Sequence, residues 1–192
     1  VKIDRRQQRL NTQRVRDFKE RVGNPLLKLD CRTCNLSPDS LLEIDRNIEQ
    51  RLKTDTTHRW VLLFERGVSQ ALIKQYTSSV NTLSEAIQLN PTNPFLHLNR
   101  ATTRAEMIDF ISSMDDTYQG IAISTDPAKR LNHSSKRTYS YDEAIADVNK
   151  AIKLYPEFAE AYYNRGNLMA VSGQLPEAYD DYTRAIELDP NI

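Results

Sequence analysis

The stretch AEAYYNRGNLMAVSGQLPEAYDDYTRAIELDP, residues 159–190, is the last copy of a pattern that recurs along the chain. Its second half, EAYDDYTRAIELDP (177–190), aligns with EAIADVNKAIKLYP (143–156), which gives a period of about 34 residues. The segment SEAIQLNP (84–91) carries the same ending further upstream and aligns with 149–156. Self-similarity at a fixed period is typical of repeat architectures, in which each unit stacks on its neighbours.

The first half of the pattern recurs as well, as Arg66-Gly67, Arg100-Ala101 and Arg165-Gly166. The first two of these pairs are one period apart, whereas the third follows the second after almost two periods. The middle copy therefore contains nearly one further period of additional sequence between its two halves. The repeats are predicted at 60–93, at 94–158 with an insertion at about 110–140, and at 159–192.

This pattern resembles the tetratricopeptide repeat, a helix–turn–helix unit of about 34 residues found in arrays in bacterial and other proteins. The resemblance covers residues 60–192. In the first copy it is weaker, because Ser79 replaces the usual alanine and Lys74 stands where a turn glycine is expected. In the last copy the residues at the key positions of the family are Tyr162, Gly166, Gly173, Ala178, Tyr182, Ala185 and Pro190.

The small residues of the pattern lie where two helices must approach closely. The resemblance implies an all-α fold, a right-handed superhelical solenoid of antiparallel helix pairs, with a long insertion in the middle repeat. The structural positions are Gly67, Ala86, Ala101, Ala151, Gly166, Ala178 and Ala185.

The repeats predict helices near 60–73, 76–89, 94–116, 141–154, 159–172 and 176–188. Residues 119–139 are predicted to be loop, and Ser140 with Glu143 forms a capping box that restarts the helical pattern. Ser37-Pro38 begins a further helix with a capping serine and a proline at its first position. Residues 37–59 are thus a cap or the second helix of a degenerate repeat, and residues 1–36 are a basic helical or irregular segment.

In the family, the first helix of each pair lines a concave groove that binds an extended peptide or a partner helix. The resemblance implies that inward-pointing residues form such a groove here, apolar at its N-terminal end and rich in amides at its C-terminal end. The alternative is a scaffold whose inner surface is covered by the rest of the chain. The predicted groove residues are Val61, Phe64, Val68, Phe95, Leu98, Asn99, Thr102, Tyr163, Asn164 and Asn167.

Binding of chaperone C-termini is disfavoured, because family members that do so use Lys and Arg at defined inward positions. Only Asn99 fits that pattern, and Glu160 would repel a carboxylate. The matching positions here are Phe64, Val68, Asn99, Glu160 and Asn164.

The repeated arginines could form an anion-binding ladder. The favoured interpretation is that they pair with the aspartates that recur in the second helices, Asp147 and Asp181, and so bridge helices.

Composition excludes several other functions. Lys+Arg and Asp+Glu both number 26, so net charge favours no nucleic-acid or membrane partner. Cys31 and Cys34 form a C-x-x-C without a second ligand pair or a βαβ setting, which favours incidental thiols over a zinc or redox site. No catalytic motif is present, no run reaches the ~18 apolar residues of a membrane span, and we expect no cofactor and no metal.

The sequence therefore predicts a non-catalytic module for protein–protein interaction, whose partner is a protein or peptide. The alternative is nucleic-acid or anion binding through the N-terminal segment, because positions 1–30 hold nine Lys/Arg against four Asp/Glu. Aromatic residues for base stacking are nearly absent there, which disfavours this alternative. The second helix of the last copy has too many apolar residues for a solvent-facing cap, so we expect further residues after 192 or self-association through this end.

Overall fold

The computed structural model describes residues 36–125 and 140–192, and for 115–125 the backbone alone. Its seven helices over these residues are α1 (Pro38–Arg51), α2 (Arg59–Leu72), α3 (Tyr76–Leu89), α4 (Pro94–Thr125), α5 (Asp142–Leu154), α6 (Ala159–Val171) and α7 (Leu175–Leu188). The described residues contain no β-strand. Of the helices predicted from the repeats, α4 is longer than expected, and the others begin and end within one position of their predicted bounds.

The helices form consecutive pairs, α2 with α3, α4 with α5 and α6 with α7, and each pair packs on the next. Helix α1 packs on α2 in the way that α3 packs on α4, so it occupies the place of a second helix ahead of the first pair. Its start is as predicted: the Ser37 hydroxyl accepts a hydrogen bond from the Ser40 backbone N–H at 3.2 Å. The chain is thus an all-α solenoid, as the repeats predict.

Close approach within the pairs depends on the small residues. A Cβ atom on Gly67 would lie 2.7 Å from Cγ of Leu83, and one on Gly166 would lie 2.7 Å from Cε1 of Tyr182. Ser79, at the position where the repeat usually has alanine, is fully buried. Its hydroxyl donates to the Gly67 carbonyl at 2.7 Å, which satisfies the polar group where the helices meet.

The turn positions explain the length of α4. Lys74 and Gly173 occupy equivalent turns and both have positive φ angles, 62° and 79°. The corresponding residue of the middle copy is Ile108, which lies inside α4. A β-branched residue disfavours the left-handed conformation that ends the other first helices, so this helix continues to Thr125.

Two local predictions about the insertion are wrong. Residues 119–125 are helical and not loop, while 126–139 lie outside the described residues. The capping box also does not form: the Ser140 hydroxyl accepts from the Asp142 backbone N–H at 3.1 Å. The Glu143 carboxylate instead pairs with the guanidinium of Arg104 on α4, at 2.9 Å.

Candidate peptide-binding groove

The first helices α2, α4 and α6 lie side by side, so the predicted groove residues fall on one row of neighbouring helices. Half of these residues are buried and half are accessible. Those that are buried are Phe64, Val68, Phe95, Leu98 and Asn99. Those that are half-buried or exposed are Val61, Thr102, Tyr163, Asn164 and Asn167. That these ten residues contact a ligand stays a prediction.

The accessible residues of α4 and α6 come together at the C-terminal end of the row. The Asn164 side-chain nitrogen donates to the Thr102 hydroxyl across the two helices at 3.4 Å. The Tyr182 hydroxyl donates to Oδ1 of Asn167 at 2.8 Å, and its ring centroid lies 5.9 Å from that of Tyr163. The sequence analysis placed Tyr182 at a key position of the repeat but did not predict this contact, which arises from the pairing of α6 with α7.

Below this surface, two aromatic side chains join the start of α4 to the residue that directly precedes α6. Phe95 and Phe158 are fully buried, and their rings meet edge to face with centroids 5.3 Å apart. Asn99 donates its side-chain nitrogen to the Phe95 carbonyl, 2.9 Å away in its own helix. The donor of Asn99 is thus used within α4.

The repeated arginines bridge helices, as the sequence analysis favoured. Arg100 donates to both carboxylate oxygens of Asp147, at 2.8 and 2.6 Å. Arg165 does the same with Asp181, at 2.7 and 2.6 Å. Arg66 has no aspartate in its own pair and uses Asp45 of α1 at 2.9 Å, a contact that the repeat pattern did not reveal. The carboxylates neutralise the guanidinium groups, so an anion-binding ladder is not favoured.

Asp147 is the most heavily used carboxylate of this network. Its second guanidinium partner is Arg104, and His97 lies 3.9 Å away. Burial acts to raise the pKa of Asp147, but the nearby His97 ring, the hydrogen bonds from Arg100 and the charges of both arginines outweigh it, so that the pKa is about 2.

A second polar cluster lies on α4 where this helix extends beyond the pair. Glu106 and Asp109 line a surface cleft of about 510 Å³ together with Tyr76 and Phe110, whose ring centroids are 5.7 Å apart. Burial, and then the charge of Asp109, raises the pKa of Glu106 to about 7. The Tyr141 hydroxyl donates to Asp109, which anchors the start of α5 to this cluster.

Residues 36–125 and 140–192 contain neither a candidate metal cluster nor a candidate membrane-spanning helix. No group of three or more His, Cys, Asp or Glu there could hold a metal ion. Cys31, Cys34 and the basic segment 1–36 lie outside these residues, apart from Leu36. In the same part of the chain, no helix is both long enough and apolar enough to cross a membrane.

Family models match the C-terminal part of the chain, residues 140–192. The model described as "Tetratricopeptide repeat" matches residues 159–192, and the one described as "TPR repeat" matches residues 140–170. Among curated proteins, the small glutamine-rich tetratricopeptide repeat-containing protein 2 of Mycosarcoma maydis is 25% identical over 118 residues, 62% of this chain and 25% of the relative. The chain spans about a quarter or less of the length of the first curated relatives it matches.

Solved structures share the fold. The first TPR of Spaghetti (RPAP3), bound to the HSP90 peptide SRMEEVD, is 22% identical with a TM-score of 0.51, over 71% of this chain and 83% of that one. A crystal structure of MamA is 17% identical with a TM-score of 0.54, over 95% of this chain and 86% of that one.

Proposed function

We propose, from the premise that the chain is a tetratricopeptide-repeat protein, that it is a non-catalytic interaction module that binds an extended peptide or a partner helix in its concave groove. The observation that carries this proposal is the accessible surface at the C-terminal end of the row of first helices. It consists of Thr102, Tyr163, Asn164 and Asn167, with Thr102 and Asn164 in contact across two repeats.

The chemistry of this row suits a peptide backbone. Because Oδ1 of Asn167 already accepts from Tyr182, its amide nitrogen is the group available to donate to a peptide carbonyl. The ring of Tyr163 supplies an apolar face beside it. Hydrogen bonds to backbone groups give affinity without reading the peptide sequence, so neighbouring pockets would have to supply specificity.

The peptide is expected to differ from a chaperone C-terminus. The first TPR of Spaghetti binds the HSP90 peptide SRMEEVD. Here none of the five matching positions holds Lys or Arg, and all but Asn164 are buried: they are Phe64, Val68, Asn99, Glu160 and Asn164. Without Lys or Arg at these positions, a terminal carboxylate would lose its charge-assisted hydrogen bonds.

Selection of phage-displayed peptides on the purified chain, followed by fluorescence anisotropy with the selected peptide, tests the proposal. Asn167→Ala and Tyr163→Ala should each weaken binding by about 3- to 10-fold. Asn81→Ala, a change at an exposed asparagine on α3, is the matched control and should have no effect. Equal binding by all three variants would exclude the groove. The peptide SRMEEVD should bind with a Kd weaker than about 1 mM.

The alternative from the sequence is nucleic-acid or anion binding by the basic segment 1–36. The salt dependence of the binding affinity distinguishes this alternative from peptide binding in the groove. Binding driven by phosphate contacts weakens steeply as salt rises, because neutralised phosphates release counterions. Binding of a peptide through amides and apolar contacts should change little between about 50 and 200 mM salt. A steep salt slope with an oligonucleotide, together with no selected peptide, would favour the alternative.

A further inference from the structure

The side-chain amide of Asn167 is held by a residue that lies outside the predicted groove. The hydroxyl of Tyr182, on the second helix α7, donates to Oδ1 of Asn167 at 2.8 Å. The carbonyl end of the amide is therefore engaged from within the chain. Nδ2 is the end that is left to donate to a ligand.

The glycine before Asn167 makes this hydrogen bond possible. A Cβ atom on Gly166 would lie 2.7 Å from Cε1 and 2.8 Å from Cδ1 of Tyr182. Because Gly166 has no Cβ atom, the edge of the Tyr182 ring lies directly against α6, and the hydroxyl reaches the next residue of that helix. The ring of Tyr163 packs beside it, with centroids 5.9 Å apart. Gly166 and Tyr163 thus fix the position of the hydroxyl.

The Tyr182 hydroxyl keeps its proton at neutral pH. Burial, and then the neighbouring Tyr163, raises the pKa of Tyr182 above its ordinary value of 10.0. In the reversed orientation of the Asn167 amide, this proton would face an NH₂ group, which donates and does not accept. The hydrogen bond therefore favours one of the two orientations of the amide.

The two earlier repeats lack this arrangement. The residues at the positions of Tyr182 and Asn167 are Val148 with Thr102 in the second repeat, and Leu83 with Val68 in the first. The Thr102 hydroxyl donates to the Leu98 carbonyl at 3.1 Å and accepts from Asn164 at 3.4 Å, so its proton is used within its own helix. Of the three repeats, only the last combines a phenol and an amide at these positions.

The exposure of Asn167 is not merely a consequence of its place in the last repeat. Thr102 occupies the same position one repeat earlier, where α6 lies beside α4. Thr102 is nevertheless only half-buried. A residue at this position therefore keeps an accessible surface even when a further repeat stacks on its own.

We propose that Tyr182 and Gly166 are positioning residues of the groove, which orient the Asn167 amide so that Nδ2 donates to a backbone carbonyl of the bound peptide. This inference rests on the proposed function, because the peptide in the groove supplies the carbonyl. Neither positioning residue has to touch the peptide. Substitutions at both should therefore change affinity through Asn167 alone.

NMR relaxation of the Asn167 side-chain amide, measured on the isotope-labelled chain without a ligand, tests the orientation directly. The amide should be ordered in the parent and mobile in Tyr182→Phe, which removes only the hydroxyl. Gly166→Ala should also make it mobile, because the added Cβ atom displaces the ring. Gly67→Ala is the matched control, since its Cβ atom would meet Leu83, which has no polar group, at the same 2.7 Å. An amide that is equally mobile in the parent and in Tyr182→Phe would overturn the proposal.

Fluorescence anisotropy with the phage-selected peptide measures the consequence for binding. If the released amide populates both orientations equally, its donor is correctly placed half of the time, and affinity falls about twofold. Tyr182→Phe and Gly166→Ala should therefore each weaken binding about two- to fourfold, whereas Gly67→Ala should bind like the parent although it is the less stable glycine variant. Asn167→Asp keeps an acceptor for Tyr182 but has no N–H group, and it should weaken binding about 3- to 10-fold.

A double-mutant cycle separates positioning from direct contact with the peptide. In an Asn167→Ala background, Tyr182→Phe should cause no further loss of affinity, because no amide is left to orient. Additive losses, or full affinity of Asn167→Asp, would overturn the proposal. If no peptide is selected at all, the groove proposal fails, and the relaxation measurement alone decides whether Tyr182 and Gly166 orient the amide.

Discussion

Substitution of Gly67 by alanine tests the packing at the centre of the first helix pair. The added Cβ atom would lie 2.7 Å from Cγ and 2.8 Å from Cδ2 of Leu83. Leu83 has no exposed surface and is surrounded by the core, so it has no open space into which it could move. The helices must separate or Leu83 must leave its rotamer.

The expected change in the free energy of unfolding follows from two opposed effects. Alanine in a helix interior is favoured over glycine by about 1 kcal/mol. Overpacking of a dense core costs roughly 1–3 kcal/mol. We therefore expect Gly67→Ala to lower the free energy of unfolding by about 1 kcal/mol, although the same change in an unconstrained helix would raise it.

Gly166→Ala is the matched variant, since Gly166 occupies the same position in the last pair. Its Cβ atom would also lie 2.7 Å from a side chain, but that side chain is the half-buried Tyr182 at the surface. The ring can move outward and give up its hydrogen bond to Asn167. Gly166→Ala should therefore leave the free energy of unfolding nearly unchanged. The Gly166→Ala variant should be about 1–2 kcal/mol more stable than the Gly67→Ala variant.

Urea denaturation followed by circular dichroism measures both variants. In a Leu83→Ala background the clash disappears, and Gly67→Ala should then stabilise the chain by up to about 1 kcal/mol. If Gly67→Ala stabilises the parent chain as well, or if both glycine variants have the same stability, the argument from close helix approach is wrong.

Three further changes test the charges and the turns. Asp147→Asn should cost about 3 kcal/mol at pH 7, because it leaves the guanidinium of Arg100 without its carboxylate. Since the pKa of Asp147 is lowered to about 2 on folding, its contribution to the free energy of unfolding is present above about pH 4 and is lost as the pH falls toward 2. When the free energy of unfolding is measured at decreasing pH, the parent should lose roughly 2 kcal/mol that the variant does not lose. Glu106→Gln should stabilise by about 1–2 kcal/mol at pH 8, where the parent must keep a charge on a carboxyl whose pKa is raised from 4.5 to about 7. In the same denaturation assay the gain should shrink as the pH falls below about 7 and vanish near pH 4. Lys74→Gly should raise the free energy of unfolding by about 0.5–1 kcal/mol in thermal denaturation, because glycine adopts the positive φ of this turn without strain.

The repeat period was sufficient to predict the helices because each unit repeats the same local signals. Small residues recur at Gly67, Ala101 and Gly166, and prolines follow the second helices, so alignment of the copies reinforces a pattern that is weak in any one of them. The exception is α4. Its predicted end was set by loop-forming residues such as Gly120, but a helix of this length tolerates a single glycine at a cost of about 1 kcal/mol.

The groove was predicted less completely than the fold. Inward positions were assigned from the register of the repeat, which does not determine how deeply each side chain is covered. Phe64, Phe95 and Asn99 are buried, while Thr102 and Asn167 are accessible, although all of them lie on first helices. Burial depends on what packs over a residue from other helices, and this information is not local.

The sequence by itself determined the period, the pairing of helices and the small residues at which they approach, because these depend on contacts repeated at one spacing. The sequence also favoured Asp147 and Asp181 as partners of the repeated arginines, but only the tertiary structure decided the partner of Arg66. Arg100 and Arg165 find an aspartate within their own pair, whereas Arg66 reaches back to Asp45 on α1. The equivalent of those aspartates in the first pair is Thr82, which cannot neutralise a guanidinium. A half-buried cation must be paired, and the nearest carboxylate in space belongs to a helix outside the repeat pattern.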